Sequence, residues 1–297
     1  MSYRLRKQSI SHEVRRVARK ALEGGLKEML TLDERGSDTA VHEARKHLKR
    51  VRALIRLIRP AMGDAFYKRE NAALRETAQR MASIRDAHVR VQTIQKLIAR
   101  SRSHRAAFDY IHEAMNARLQ EVLDESGTNH WNRHVAADIE HAICRVDDWP
   151  VQELEASSLR DGLKSAFKKA RRALATAQLD LTDDHLHTLR KRIKDVRYHL
   201  QLLGGDHLPQ IEALTQKFRD LGDTLGDDHD LAELLTARDE TPLPHSVDWA
   251  NLERAIAALR TRSQRAALRL ATSLLAPKPR AFADLILDHW EKWRSSP

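Results

Sequence analysis

The chain has 297 residues, of which 41% are hydrophobic, 5% aromatic and 32% charged, with a formal net charge of +10 and an isoelectric point near 9.8. So few aromatics and so many charges argue against a sheet protein and for amphipathic helices with long polar faces, and the expected fold class is all-α. The single Cys144 excludes an internal disulfide, no window reaches the roughly 20 apolar residues that cross a bilayer, and the opening MSYRLRKQSISHEVRR lacks the apolar stretch of a secretory signal; the expectation is a soluble, cytoplasmic protein with no membrane partner.

In chain order, apolar periodicity predicts helices over about 8–31, 38–59, 64–101, 104–125 and 132–146, then over about 156–178, 183–204, 208–237, 247–275 and 280–294. The stretches LDERGSDTA (32–40) and LDLTDDH (179–185) offer Asp, Ser and Thr as N-caps for the second helix of each set. Pro60 and Gly63 are expected to end the first of these helices and Gly204-Gly205 the other. ETPLPHS (240–246) reads as a loop, and DDWPVQELEASS (147–158), with Pro150, divides the chain into halves.

The second helix holds seven Lys and Arg between His42 and Arg59, with Glu43 as the only acid. At about 100° per residue, His42, Arg45, Lys46, Lys49, Arg52, Arg56 and Arg59 share one side, while Ala44, Leu48, Val51, Leu54, Ile55 and Ile58 share the opposite one. The helix is expected to bury the aliphatic stripe and present a continuous cationic row. A solvated face would mix signs, because i,i+4 Glu–Lys pairs gain about 0.2–0.5 kcal/mol and like charges lose as much. A row of one sign points to an anion that offsets the repulsion.

The arrangement recurs. VHEARKHLKRVRALIRLI (41–58) aligns with LHTLRKRIKDVRYHLQLL (186–203), placing His42 over His187, Arg45 over Arg190, Lys46 over Lys191, Lys49 over Lys194 and Arg52 over Arg197. VRRVARKAL (14–22) aligns with LKSAFKKAR (163–171), matching Arg15 to Lys164, Arg19 to Lys168 and Lys20 to Lys169, and IRDAHV (84–89) aligns with LGDDHD (225–230). Three blocks in one order imply two repeats, 8–148 and 149–294, within a single domain spanning 8–294. The charge is unequal: residues 1–150 hold 29 Lys and Arg against 20 Asp and Glu, and 151–297 hold 23 against 22.

From His42 to Arg56 the row runs about 21 Å. One phosphate would occupy a fraction of it, whereas a linear polymer with a charge on every unit would engage all of it, with Arg chelating oxygens and Lys acting as a mobile point charge. Apart from Tyr198 the face carries no aromatic platform and no base-reading amide, so nucleic acid is expected only as a weak, non-specific competitor. His42 and His187 open the rows and either contact the ligand as imidazolium or pack near a helix cap; their recurrence favours the ligand.

These residues resemble the CHAD domain, a helical module named for its histidines, through VHEARKHLKRVRALIRLIRP, LHTLRKRIKDVRYHLQLL and the RDAHV block. The resemblance implies two helical bundles related by a pseudo-twofold around a central basic groove or pore, binding of inorganic polyphosphate, and association with polyphosphate granules. Carried over by position, the ligand contacts are His42, Arg45, Lys46, Lys49, Arg52 and Arg56, then His187, Arg190, Lys191, Lys194 and Arg197, with Arg15, Arg19, Lys164 and Lys168 on the groove walls. Gln201 stands opposite Arg56, so the second row is expected to be shorter. Some relatives carry a triphosphate-tunnel domain with an ExExK strand; that segment is missing from these 297 residues, which removes the main argument for hydrolysis.

No P-loop, nucleophile elbow or HExxH motif occurs. GDDHD (226–230) invites a metal-dependent phosphohydrolase reading, but neighbouring helical residues point about 100° apart and cannot all ligate one ion. The expectation is a binding protein without catalytic residues, metal or cofactor. The alternative is a scaffold for nucleic acid or an acidic protein, and the sequence leaves open assembly with further copies of the chain.

Overall fold

Among the described residues of the computed structural model (3–100, 105–127, 130–204, 208–236 and 249–296) every regular element is a helix. These are α1 (Ile10–Leu30), α2 (Leu32–Arg35), α3 (Ser37–Gln79), α4 (Ala82–Arg100), α5 (Arg105–Gly127), α6 (Trp131–Val146), α7 (Ala156–Leu179), α8 (Asp183–Gly204), α9 (Pro209–Thr236), α10 (Trp249–Leu274) and α11 (Pro279–Ser295). The expected all-α class holds. Gly205 and the 240–246 loop lie outside the described residues.

Two boundaries differ from expectation. The basic helix runs through Pro60, whose φ is compatible with a helix, and breaks at Gly63, the other expected stop, whose φ of 79° and ψ of 171° a side chain would resist. The expected 64–101 helix is instead divided at Arg80-Met81, where Met81 N–H bonds to the Ala78 carbonyl at 3.4 Å. No breaker residue marks that turn, where Met81 and Ile84 are fully buried.

The caps also divide. Thr182 Oγ1 accepts from His185 N–H at 3.2 Å at the start of α8, as expected. At the start of α3 the cap is Gly36, with no side-chain bond. Asp38 instead accepts from Arg85 at 2.9 Å and from Gln92 at 2.6 Å, and the Ser37 hydroxyl bonds to His88 at 2.9 Å, so these residues anchor α4.

In the first half α1 packs on α3 and α6, α3 on α4, and α4 on α5; in the second, α7 packs on α8 and α11, α8 on α9, and α9 on α10. The halves meet where α3 packs on α7 and α8, and where α4 packs on α9. Ala44, Leu48, Val51, Leu54, Ile55 and Ile58 are fully buried, each larger side chain contributing about 1.5–3 kcal/mol. Gly162 lets α7 press against α3: a Cβ there would lie 1.8 Å from the Leu57 carbonyl oxygen.

Candidate polyanion cleft

The geometry of the site follows from how α8 crosses α3. His199 Nε2 lies 2.9 Å from the Ala53 carbonyl, and because a carbonyl only accepts, that ring nitrogen carries the hydrogen. The N-terminal segment ties the crossing: the Tyr3 hydroxyl donates to the Arg50 carbonyl at 2.6 Å and Leu5 N–H donates to the Leu202 carbonyl at 2.9 Å. Ala53 and Leu57 project at about +20° and +60° from His42, on the charged side of α3. Both are fully buried. The cationic row is therefore not continuous, as expected from the sequence, but divided where α8 and α7 cover it.

Upstream of the crossing the rows of the two halves converge. The Lys49 side chain keeps solvent access, yet the protein around it, followed by Arg45, Arg190, Arg85 and Arg52, pushes its ammonium down to about 8. Lys194 is pushed down to about 7 by burial first, then by Arg190, Lys49 and Arg197, with Asp223 opposing. Lys49 is thus a charge neighbour of Lys194, and both lie near Arg190. Among the described residues neither ammonium is ion-paired with a carboxylate.

The other row residues differ in how far they are committed. Arg45 is held by the Ala78 carbonyl, and burial lowers its pKa against the opposing effect of Asp86. Arg190 lies over Gly226, where a Cβ would come within 3.1 Å of its Nη2; burial lowers its pKa, and Asp230, Asp223 and Asp227 oppose that. The Arg197 guanidinium lies over Tyr198, 4.6 Å from its centroid. Nε of Arg190 and of Arg197 are buried without an acceptor among the described residues. Lys191 is exposed.

Several row members are partly compensated. Lys46 pairs with Glu43 at 2.9 Å, and His42 lies 3.9 Å from the same carboxylate. Burial, then Arg85, lowers the His42 pKa. His187 stacks obliquely on His229 at 4.3 Å between centroids, and burial followed by that neighbour pushes it down to about 4. Its Nδ1 is buried without a partner. Arg52 donates to Asn71 at 3.0 Å, and Arg56 donates across the halves to Asp195 at 3.0 Å.

The expected wall residues are placed elsewhere. Arg15 donates to the Trp149 carbonyl at 2.8 Å and Arg19 is ion-paired with Asp147, so both hold the segment between the halves. On α7 the face that meets α3 is that of Gly162, which Ser165 and Lys169 share at i+3 and i+7. Lys164 and Lys168 project about 200° and 240° from Gly162 and are exposed, Lys164 lying 3.9 Å from Asp161.

Arg85 on α4 is the cleft residue that the sequence reading missed. It is among the charge neighbours of His42, Arg45, Lys49 and Arg190. In the alignment of IRDAHV with LGDDHD it falls opposite Gly226, so recurrence of charge does not mark it. On α9, Asp223, Asp227 and Asp230 are also charge neighbours of Arg190, and Asp227 pairs with Lys96 of α4 at 3.3 Å. Asp228 accepts from Arg260 at 3.1 Å and from Gln264 at 3.0 Å. No cluster of three or more metal-ligating side chains occurs among the described residues, and no helix among them is long and apolar enough to cross a membrane.

No curated protein matches the chain. The CHAD domain family model matches residues 20–239, a span that contains both rows, the crossing, α4 and α9. With that match over most of its length, the chain belongs to the CHAD domain family, one known in general for binding polyphosphate.

Proposed function

We propose that this chain binds long inorganic polyphosphate in the cleft between α3 and α8 and carries out no reaction on it. The observation that supports this most is the convergence of Lys49 and Lys194, one from each half, with Arg45, Arg85 and Arg190 in a space that water reaches and in which neither ammonium has a carboxylate partner. Such a cluster is repulsive when empty and is relieved by a ligand that brings one negative charge per short unit of length. A flexible phosphate chain satisfies several cations from different helices at once. It runs nearer to α3 and α4, away from Asp223, Asp227 and Asp230.

A nucleic-acid reading is weaker because the one aromatic of the rows is unavailable for stacking. Tyr198 is buried, edge-on to Tyr3 at 6.3 Å and covered by Arg197. A hydrolase reading is weaker because the acids of GDDHD already serve cations: Asp227 serves Lys96, and Asp228 serves Arg260. Association with polyphosphate granules follows from the same binding.

The test is a competition titration of labelled long polyphosphate against single-stranded DNA at physiological salt. DNA is expected to displace the label only at concentrations about 100-fold higher or more, since it offers phosphate contacts but finds no stacking surface. Equal competition would overturn the reading.

A further inference from the structure

Beyond the α8 crossing, the end of the cationic row opens into a second cavity that the cleft does not include. Arg56 and Arg59 of α3, Lys169 of α7 and Arg192 of α8 line it. Three helices from both halves thus contribute four cations to one space of about 570 Å³. The cavity and the cleft lie on different faces of α8. Arg190, Lys194 and Arg197, spaced i, i+4, i+7, face the cleft, whereas Arg192 projects about 160° from Lys194.

Two carboxylates offset part of this charge. Asp195 accepts from Arg56 at 3.0 Å and from Arg192 at 3.5 Å, and exposed Asp64 accepts from Arg59 at 2.8 Å. Lys169 has no ion pair among the described residues; burial, then Arg59 and Arg192, lowers its pKa, and Asp195 opposes that. The Arg59 guanidinium also rests over the Tyr67 ring at 4.3 Å, so it is held at the cavity's edge. Gly63 has open space around its missing side chain, which leaves the entrance clear where α3 bends.

We infer that this cavity is a separate anion site that takes a compact oligophosphate of two or three phosphoryl units, either as a free ion or as the end of a longer chain. Its volume suits a few units rather than an extended chain, and the guanidinium groups of Arg56, Arg59 and Arg192 that line it favour bidentate contact with terminal oxygens. Asp64 acts as a built-in competitor: an arriving phosphate displaces it from Arg59. The site rests on its own four cations and stands whether or not the cleft holds polyphosphate.

The experiment is calorimetric titration of the full chain with tripolyphosphate, in the wild type and in Lys169→Glu, Asp64→Asn and the cleft variant Lys49→Glu/Lys194→Glu, each checked for native helical circular dichroism. Lys169→Glu is expected to weaken tripolyphosphate at least tenfold and Asp64→Asn to tighten it several-fold, with the cleft variant retaining the site. Long polyphosphate should still bind Lys169→Glu through the cleft. Long chains that compete for the cavity with tripolyphosphate in the cleft variant identify the chain end as a ligand; chains that do not compete leave the free ion. Unchanged tripolyphosphate binding in Lys169→Glu, loss of it in the cleft variant alone, or no binding to the wild type would overturn the inference.

Discussion

Lys49 and Lys194 are the residues at which the empty cleft is most uncomfortable. Their ammonium groups are pushed to about 8 and about 7, so near neutral pH the free protein holds Lys194 partly deprotonated. A polyanion favours the charged form of both and raises those values, so the bound state takes up protons. Affinity for long polyphosphate should therefore be nearly level below about pH 6 and fall as the pH rises through 7 and 8. Calorimetry in buffers of different ionisation heat should give net proton uptake at pH 7.5; proton release would place these lysines outside the ligand's reach. In the absence of ligand the sign reverses for folding. Both pKa values lie below that of an unfolded lysine, the unfolded chain binds more protons, and these two groups make the ligand-free fold more stable as the pH rises from about 7 towards 10. Among single residues, periodicity and recurrence were enough to put Lys49, Lys194, Arg45 and Arg190 on the charged faces of their helices. Arg85 was hidden because glycine stands at its counterpart, and His187 was legible as a row member but not as the stacking partner of His229.

At the scale of elements, the helices themselves were readable from apolar spacing, and what one helix does to another was not. The projection of α3 puts Ala53 and Leu57 among the cations, and nothing in that segment says that α8 and α7 will cover them. Likewise Lys164, Lys168 and Lys169 are equivalent candidates until Gly162 sets the rotation of α7 against α3. The crossing makes a direct prediction. Gly162→Ala drives a methyl into the Leu57 backbone, and neither helix can relax by a rotamer change, so the loss should be at least about 3 kcal/mol, measured by urea unfolding. A loss below about 1 kcal/mol would mean that α3 and α7 do not meet as closely as described. At the bend, Gly63→Ala meets no neighbouring atoms, and its cost should be the backbone strain alone, about 1–3 kcal/mol.

Over the whole molecule, the sequence carried the family and the all-α class, because four matched cations and a matched histidine in register and ten helix patterns do not depend on tertiary detail. It carried less of the site, since a site made by two halves depends on where they meet. The pairing of α3 with α8 and of α4 with α9 brings the two rows together, with Arg85 of α4 and the acids of α9 beside them, and moves the end of the first row into a separate cavity. The central claim is that Lys49 and Lys194 face one shared, ligand-filled space. It is tested most directly by the affinity of Lys49→Glu/Lys194→Glu for long polyphosphate, measured by fluorescence anisotropy beside circular dichroism. Loss of two charge-assisted contacts, each worth about 1.5–3 kcal/mol, predicts a weakening of at least about 100-fold with helicity unchanged. Wild-type affinity in a folded double variant would contradict it.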